Sequence, residues 1–103
     1  MKTPTGLELI CEERQRQIIA EGWTAEHDDS HTSDELNLAA QSYLDMAHYQ
    51  KTEPFERASY MAEGGRWPWD KEWWKPSESR VRNLVKAAAL IAAEIDRLNR
   101  LTS

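Results

Sequence analysis

Val81, Leu84, Ala88, Ile91, Ile95 and Leu98 recur in alternating steps of three and four. That spacing lines apolar side chains along one seam of an α-helix and favours near-parallel packing against another helix. The pattern predicts a long helix over 78–101, opened by Pro76 and Ser77. Glu78 and Arg82, and Asp96 and Arg100, lie four apart with the acid first, the favourable order for surface pairs. Ala89, Ala92 and Ala93 form a second, small-residue face that lets a neighbouring helix approach closely. A chain of 103 residues holds one modest core. Two usable faces on one helix exceed what that core needs, so a homodimer is expected.

Leu7, Ile10, Cys11, Arg14 and Ile18 also recur at helical spacing, predicting a first helix over 6–21 that ends at Gly22. Trp23 then falls where a Schellman motif would rest it against Ile18. The stretch TSDE predicts a capping box between Thr32 and Glu35, opening a second helix over 33–49. Leu36, Ala39, Ala40, Tyr43 and Ala47 form its apolar face, and Pro54 closes it. EPFERASYMAE can add a short helix that brings Phe55, Tyr60 and Met61 near the core. Trp67, Trp69, Trp73 and Trp74 crowd the connection GGRWPWDKEWWKP. Rings of that size order a loop, as a lid or as an interface. No strand-like alternation occurs, so the expected class is all-α: a single helical domain over 1–103, three main helices and a tryptophan-rich crossover, packed orthogonally or as a bundle.

The net charge of -5 argues against binding duplex nucleic acid, which needs surplus Lys and Arg to displace counterions. No apolar run approaches a membrane span, and the N-terminus lacks a secretory leader. Cys11 has no second cysteine to pair with, in keeping with a reducing, cytoplasmic setting. Its place on the apolar face predicts a buried small side chain, not a nucleophile. The charges are also segregated. Asp and Glu are the only formally charged side chains in 21–35, whereas over 75–100 Lys75, Arg80, Arg82, Lys86, Arg97 and Arg100 outnumber Glu78, Glu94 and Asp96.

Three constellations can carry chemistry. His27, Asp28, Asp29 and His31, written HDDSH, combine imidazoles and carboxylates that suit Mg or another divalent metal. The same short polar side chains also suit a turn that caps the following helix. Glu12, Glu13 and Arg14 at the edge of one apolar face, and Glu94 among alanines on another, form either interhelical ion pairs, such as Glu94 with Arg14, or acids of raised pKa. RVRNLVK places Arg80, Arg82, Asn83 and Lys86 in the first turns of a helix, as an anion-binding strip or as the counterpart of the acidic segment. No nucleophile–base pair or glycine-rich phosphate loop is present.

EERQRQIIAEGWTAEHDDSH, WPWDKEWWKP and RNLVKAAALIAAEIDRL, read together from Glu12 to Leu98, resemble a family of small uncharacterised helical proteins from phages, prophages and mobile elements. That resemblance implies a small helical protein and transfers no activity. Acids on facing helices are also similar to the MazG-type nucleoside triphosphate pyrophosphohydrolases, which hold Mg with clustered carboxylates. The motifs depart from that family: Glu12 and Glu13 are followed by Gln15 and Arg16 where a further Glu is needed, and Glu94 and Asp96 stand two apart, not three. Glu13, Arg14, Gly22, Trp23, Thr24, Asp28 and Asp29 match the ER…GWT…DD pattern of the ryanodine-receptor repeat domain, whose C-terminal half is not matched.

Two functions are therefore expected. One is a module that binds a small polar or nucleotide-like ligand, or a partner protein, through Glu13, Arg14, Trp23, Asp28, Asp29, His31, Trp67, Trp69, Arg82, Lys86 and Glu94. The alternative is a Mg-dependent pyrophosphohydrolase with Glu12, Glu13, Asp28, Asp29 and Glu94 on the metal and Arg82 and Lys86 on phosphates.

Overall fold

The computed structural model describes residues 2–101, and all regular structure among them is helical. The helices are α1 (Gly6–Ile19), α2 (Ala25–Asp29), α3 (Glu35–Tyr49), α4 (Phe55–Arg66) and α5 (Arg80–Leu101), with a 3-10 turn at Lys71–Trp73 between the last two. The three main helices of the sequence reading are α1, α3 and α5, and their ends fall within two residues of expectation.

Local chemistry explains most of these ends. A capping box does occur, but at α1: Thr5 Oγ1 accepts from the Glu8 backbone at 3.2 Å, and Glu8 Oε1 accepts from the Thr5 backbone at 2.8 Å. The box expected at Thr32 and Glu35 does not form. Asp34 adopts a left-handed φ of 69° that turns the chain between them, so Glu35 receives the Ser33 N–H instead, at 2.6 Å. Gly22 also takes a left-handed φ, of 73°, and no atom lies within 4 Å of where its Cβ would be. Conformation, not space, selects glycine there. The Trp23 N–H then reaches the Gln17 carbonyl at 3.0 Å, one residue further back than a Schellman bond. Its ring leaves Ile18 and stacks on His27, centroids 5.8 Å apart. The segment expected as a polar turn, AEHDD, is the helix α2, capped by Thr24.

The core forms where α3 meets α5. Leu36, Ala39, Ala40 and Tyr43 of α3 are buried against Ala87, Leu90 and Ala93 of α5. Alanine on both surfaces lets the helices approach closely; of the small-residue face expected at Ala89, Ala92 and Ala93, only Ala93 belongs to this contact. The C-terminal end of α3 meets the start of α5, where Asn83 donates to Gln50 Oε1 at 2.8 Å and Arg80 donates to the Ala47 carbonyl at 2.9 Å. On the other flank of α3, Met46 packs with Ala58 and Ala62 of α4, and Trp74 touches both clusters. Tyr60, expected near this core, faces solvent.

The molecule is only 22 Å thick in its shortest dimension, about two helix diameters. No helix can then be covered all round, and two expected faces are turned outward. On α1, Leu7, Cys11 and Ile18 are exposed while Glu13 and Gln17 are buried, because Glu13 pairs with Arg82 of α5 and Gln17 bonds Glu13 beside it. On α5 the heptad seam faces solvent, with Val81 58% and Ile95 52% exposed. The face of α5 that meets α3 instead carries Ala87, Leu90 and Ala93.

Candidate functional site

The tryptophan-rich crossover is ordered by its own rings. Tyr43 of α3 lies between Trp67 and Trp74, with centroids at 5.8 and 4.8 Å, and Trp67 stands edge-on to Trp69 at 5.3 Å. Trp69 continues to His31 at 5.2 Å and Trp23 at 6.4 Å, while His27 meets His31 edge-on at 4.7 Å. Edge-to-face and tilted ring pairs are favourable geometries, each contributing about 0.5–1.5 kcal/mol beyond burial. Two indole N–H groups are held as well: Trp67 Nε1 donates to the Asp70 carbonyl at 3.0 Å, and Trp74 Nε1 to Ser59 Oγ at 2.9 Å. Asn83 anchors the end of the strap, donating to the Ser77 carbonyl at 2.7 Å and accepting from the Ser77 N–H at 2.8 Å.

This aromatic sheet is one wall of a cavity of about 470 Å3. Its lining comes from α1 (Glu13, Arg16, Gln17), the segment beyond it (Glu21, Trp23, His27, His31), the crossover (Trp67, Pro68, Trp69, Asp70, Trp73, Lys75), and Tyr43, Lys86 and Leu90. The size lies in the range of small-molecule sites.

The opposite wall is charged and largely paired. Glu13, 2% exposed, receives Arg16 on both oxygens at 2.8 and 2.9 Å and Arg82 at 2.6 Å. Burial acts to raise its pKa, but the hydrogen bonds and charges of Arg16 and Arg82 outweigh it and hold the carboxyl below the usual glutamate range. Arg16 also pairs with Glu21 at 2.8 Å. Lys86 donates to the Lys75 carbonyl at 2.7 Å and lies 5.5 Å from the centre of the Tyr43 ring. Burial first, then the nearby Arg82 charge, lowers the Lys86 pKa. Burial pushes the Tyr43 phenol up to about 12, so that ring stays neutral. Two lining residues carry buried polar atoms with no partner among the described residues: Gln17 Oε1 and His31 Nε2. The other His31 nitrogen, Nδ1, lies 3.4 Å from Glu35 Oε2.

Of the candidate site residues named from the sequence, Glu13, Trp23, His27, His31, Trp67, Trp69 and Lys86 line this cavity. Arg14, Asp28, Asp29, Arg82 and Glu94 do not. Asp28, fully buried, takes Arg14 at 3.0 Å and lies 3.1 Å from His27 Nδ1. Asp29 turns the other way, to Arg100 at 2.7 Å. Glu94 pairs with Arg97 at 2.7 Å, not with Arg14, and Arg82 stands behind Glu13. Each acid proposed as a metal ligand, apart from the exposed Glu12, thus has its own guanidinium. Among the described residues no group of three His, Cys, Asp or Glu side chains is placed to hold a metal ion. The anion strip is likewise divided: Arg80, Arg82 and Asn83 bind protein groups, and Lys86 alone of the four lines the cavity. Arg16, Gln17 and Tyr43 were missed because helical periodicity reads them as surface or core. Only the neighbouring tryptophans signalled that a core ring might wall a site.

No protein-family model, curated protein or solved structure matches the chain.

Proposed function

We propose that this is a cytoplasmic ligand-binding module of phage or mobile-element type, whose cavity takes a small molecule with a flat, N–H-bearing ring and an anionic group, as in a mononucleotide. The observation that carries this reading is that three indoles, Trp23, Trp67 and Trp69, and the ammonium of Lys86 line one cavity. A planar ring stacks on indole faces whatever its substituents. Gln17 Oε1 can only accept a hydrogen bond, and His31 Nε2 accepts one when Nδ1 carries the proton toward Glu35. Both atoms are closed to solvent here, so a ligand N–H recovers their unpaired cost of about 1–3 kcal/mol only by displacing the side chains that cover them. The lining holds three bases (Arg16, Lys75, Lys86) and three acids (Glu13, Glu21, Asp70), and Arg16 already pairs with Glu13 and Glu21, so the expected anionic group rests on Lys86. The pyrophosphohydrolase alternative has no comparable support, since its five acids are dispersed and four are already paired with arginines.

The tryptophans supply the reporter. Titrating purine and pyrimidine mononucleotides into the protein should quench or shift indole fluorescence with saturation. Trp69→Ala and Lys86→Met should each weaken binding at least about tenfold, the loss expected of one stacked base or one charged hydrogen bond. Saturable binding that is indifferent to both substitutions would remove the cavity as the site. A flat response to every nucleotide, with capture of a protein ligand abolished by Trp69→Ala, would move the reading to a partner-binding groove.

A further inference from the structure

The outward seam of α5 is unlike the rest of the surface. Val81, Leu84, Ala88, Ile91, Ile95 and Leu98 keep heptad spacing over five helical turns, and the five large residues among them are 40–58% exposed. Together they present on the order of 500 Å2 of apolar surface, in the range of the largest patch on a typical monomer. Doubled across a two-fold axis and framed by polar neighbours, this reaches about 1,000 Å2, the lower limit for a specific interface. Heptad spacing is what a helix needs in order to mesh with a helix of the same kind.

We propose that this seam docks on the same seam of a second copy of the chain, with the two α5 helices antiparallel. Antiparallel order sets Val81 opposite Leu98, Leu84 opposite Ile95, and Ala88 opposite Ile91, so a small residue meets a large one at the centre. Parallel order sets Ala88 against Ala88, leaving a gap, and Arg80 against Arg80. Antiparallel order also opposes the helix dipoles. At 100° per residue the seam lies about 140° around α5 from Lys86 and Leu90, so the dimer leaves the cavity open. The contact therefore stands independently of any ligand.

Light scattering and sedimentation over roughly 5–500 μM, the range that resolves a micromolar Kd, test the proposal. The mass should rise from 11.9 kDa toward twice that value. Ile91→Glu with Ile95→Glu should hold it at the monomer mass across that range, with helical circular dichroism unchanged because both side chains already face solvent. A second measurement reads orientation: in a Cys11→Ser background, mixing Val81→Cys with Leu98→Cys should give the mixed disulfide under mild oxidation. A monomer at the highest concentration, or dimerisation that survives the double substitution, would overturn the interface. Crosslinking of Val81→Cys only with itself would overturn the antiparallel arrangement.

Discussion

Arg82 Nη2 donates to Glu13 Oε1 at 2.6 Å, joining two residues 69 positions apart and tying the first helix to the start of the last. The pair forms the back of the cavity wall, and Arg16 completes it from the other side. Three guanidinium contacts and the Gln17 amide, at 3.2 Å, replace the water that the Glu13 carboxylate has lost.

Because folding lowers the Glu13 pKa, the linked stability is fully present above the unfolded glutamate pKa and disappears as the pH falls through the folded value. Urea midpoints measured at descending pH should therefore drop below the ordinary carboxylate range, and Glu13→Gln should flatten that decline. Arg82→Met, which leaves Arg16 in place, should cost about 1–3 kcal/mol at neutral pH. A pH profile identical in Glu13→Gln and the parent would contradict this account.

Asp28 and Asp29 are adjacent but belong to different environments. Asp28→Ala strands Arg14, whose Nε and Nη1 are already buried without partners, and should cost about 3–5 kcal/mol. Asp29→Ala breaks an exposed pair and should leave the melting temperature nearly unchanged. Equal effects in thermal melts would mean that the two carboxylates share a role.

Asn83 is fully buried and uses both amide ends: it donates to Gln50 and to the Ser77 carbonyl and accepts from the Ser77 N–H. Asn83→Ala leaves those groups unmatched and should cost about 2–4 kcal/mol. Limited proteolysis should then cut first within residues 70–79, since the strap loses its fixed end. Unchanged cleavage kinetics would show that the rings alone hold it.

Lys86 connects pH to binding. Its lowered pKa means that the ammonium gives up its proton below the ordinary lysine range. Affinity for a ligand bearing phosphate should weaken as the pH rises into that alkaline window, and the bound anion should itself favour the protonated form. In Lys86→Met this pH dependence should vanish while stacking persists. An alkaline decline of equal slope in the variant would assign the effect to another group.

The seam on α5 and the apolar line on α1 were both legible as helix, the first expected to pack near-parallel against another helix and the second to be buried. The structure buries the Ala87–Leu90–Ala93 face of α5 and the Glu13–Gln17 face of α1. Side-chain periodicity reports which residues share a face, but not which of two faces the rest of the chain will cover. HDDSH was legible as a place where charge gathers, and the arginines that divide it lie 14 and 71 residues away in the chain. Nothing in the spacing of four residues could assign them.

What the amino-acid order determined by itself is local: five of six seam positions too apolar for a loop, a glycine where the chain must turn left-handed, alanines where two helices could touch, and indoles too large to leave a connection slack. Backbone hydrogen bonding and steric preference act over a few residues, so these are written in short windows. Only the folded chain decided that Trp69 would stand beside Trp23 and His31, that Glu13 would be shared by Arg16 and Arg82, and that the heptad seam would be left outside. Those outcomes depend on competition among distant surfaces for one small core, and a two-layer molecule 22 Å thick has room to bury only some of them.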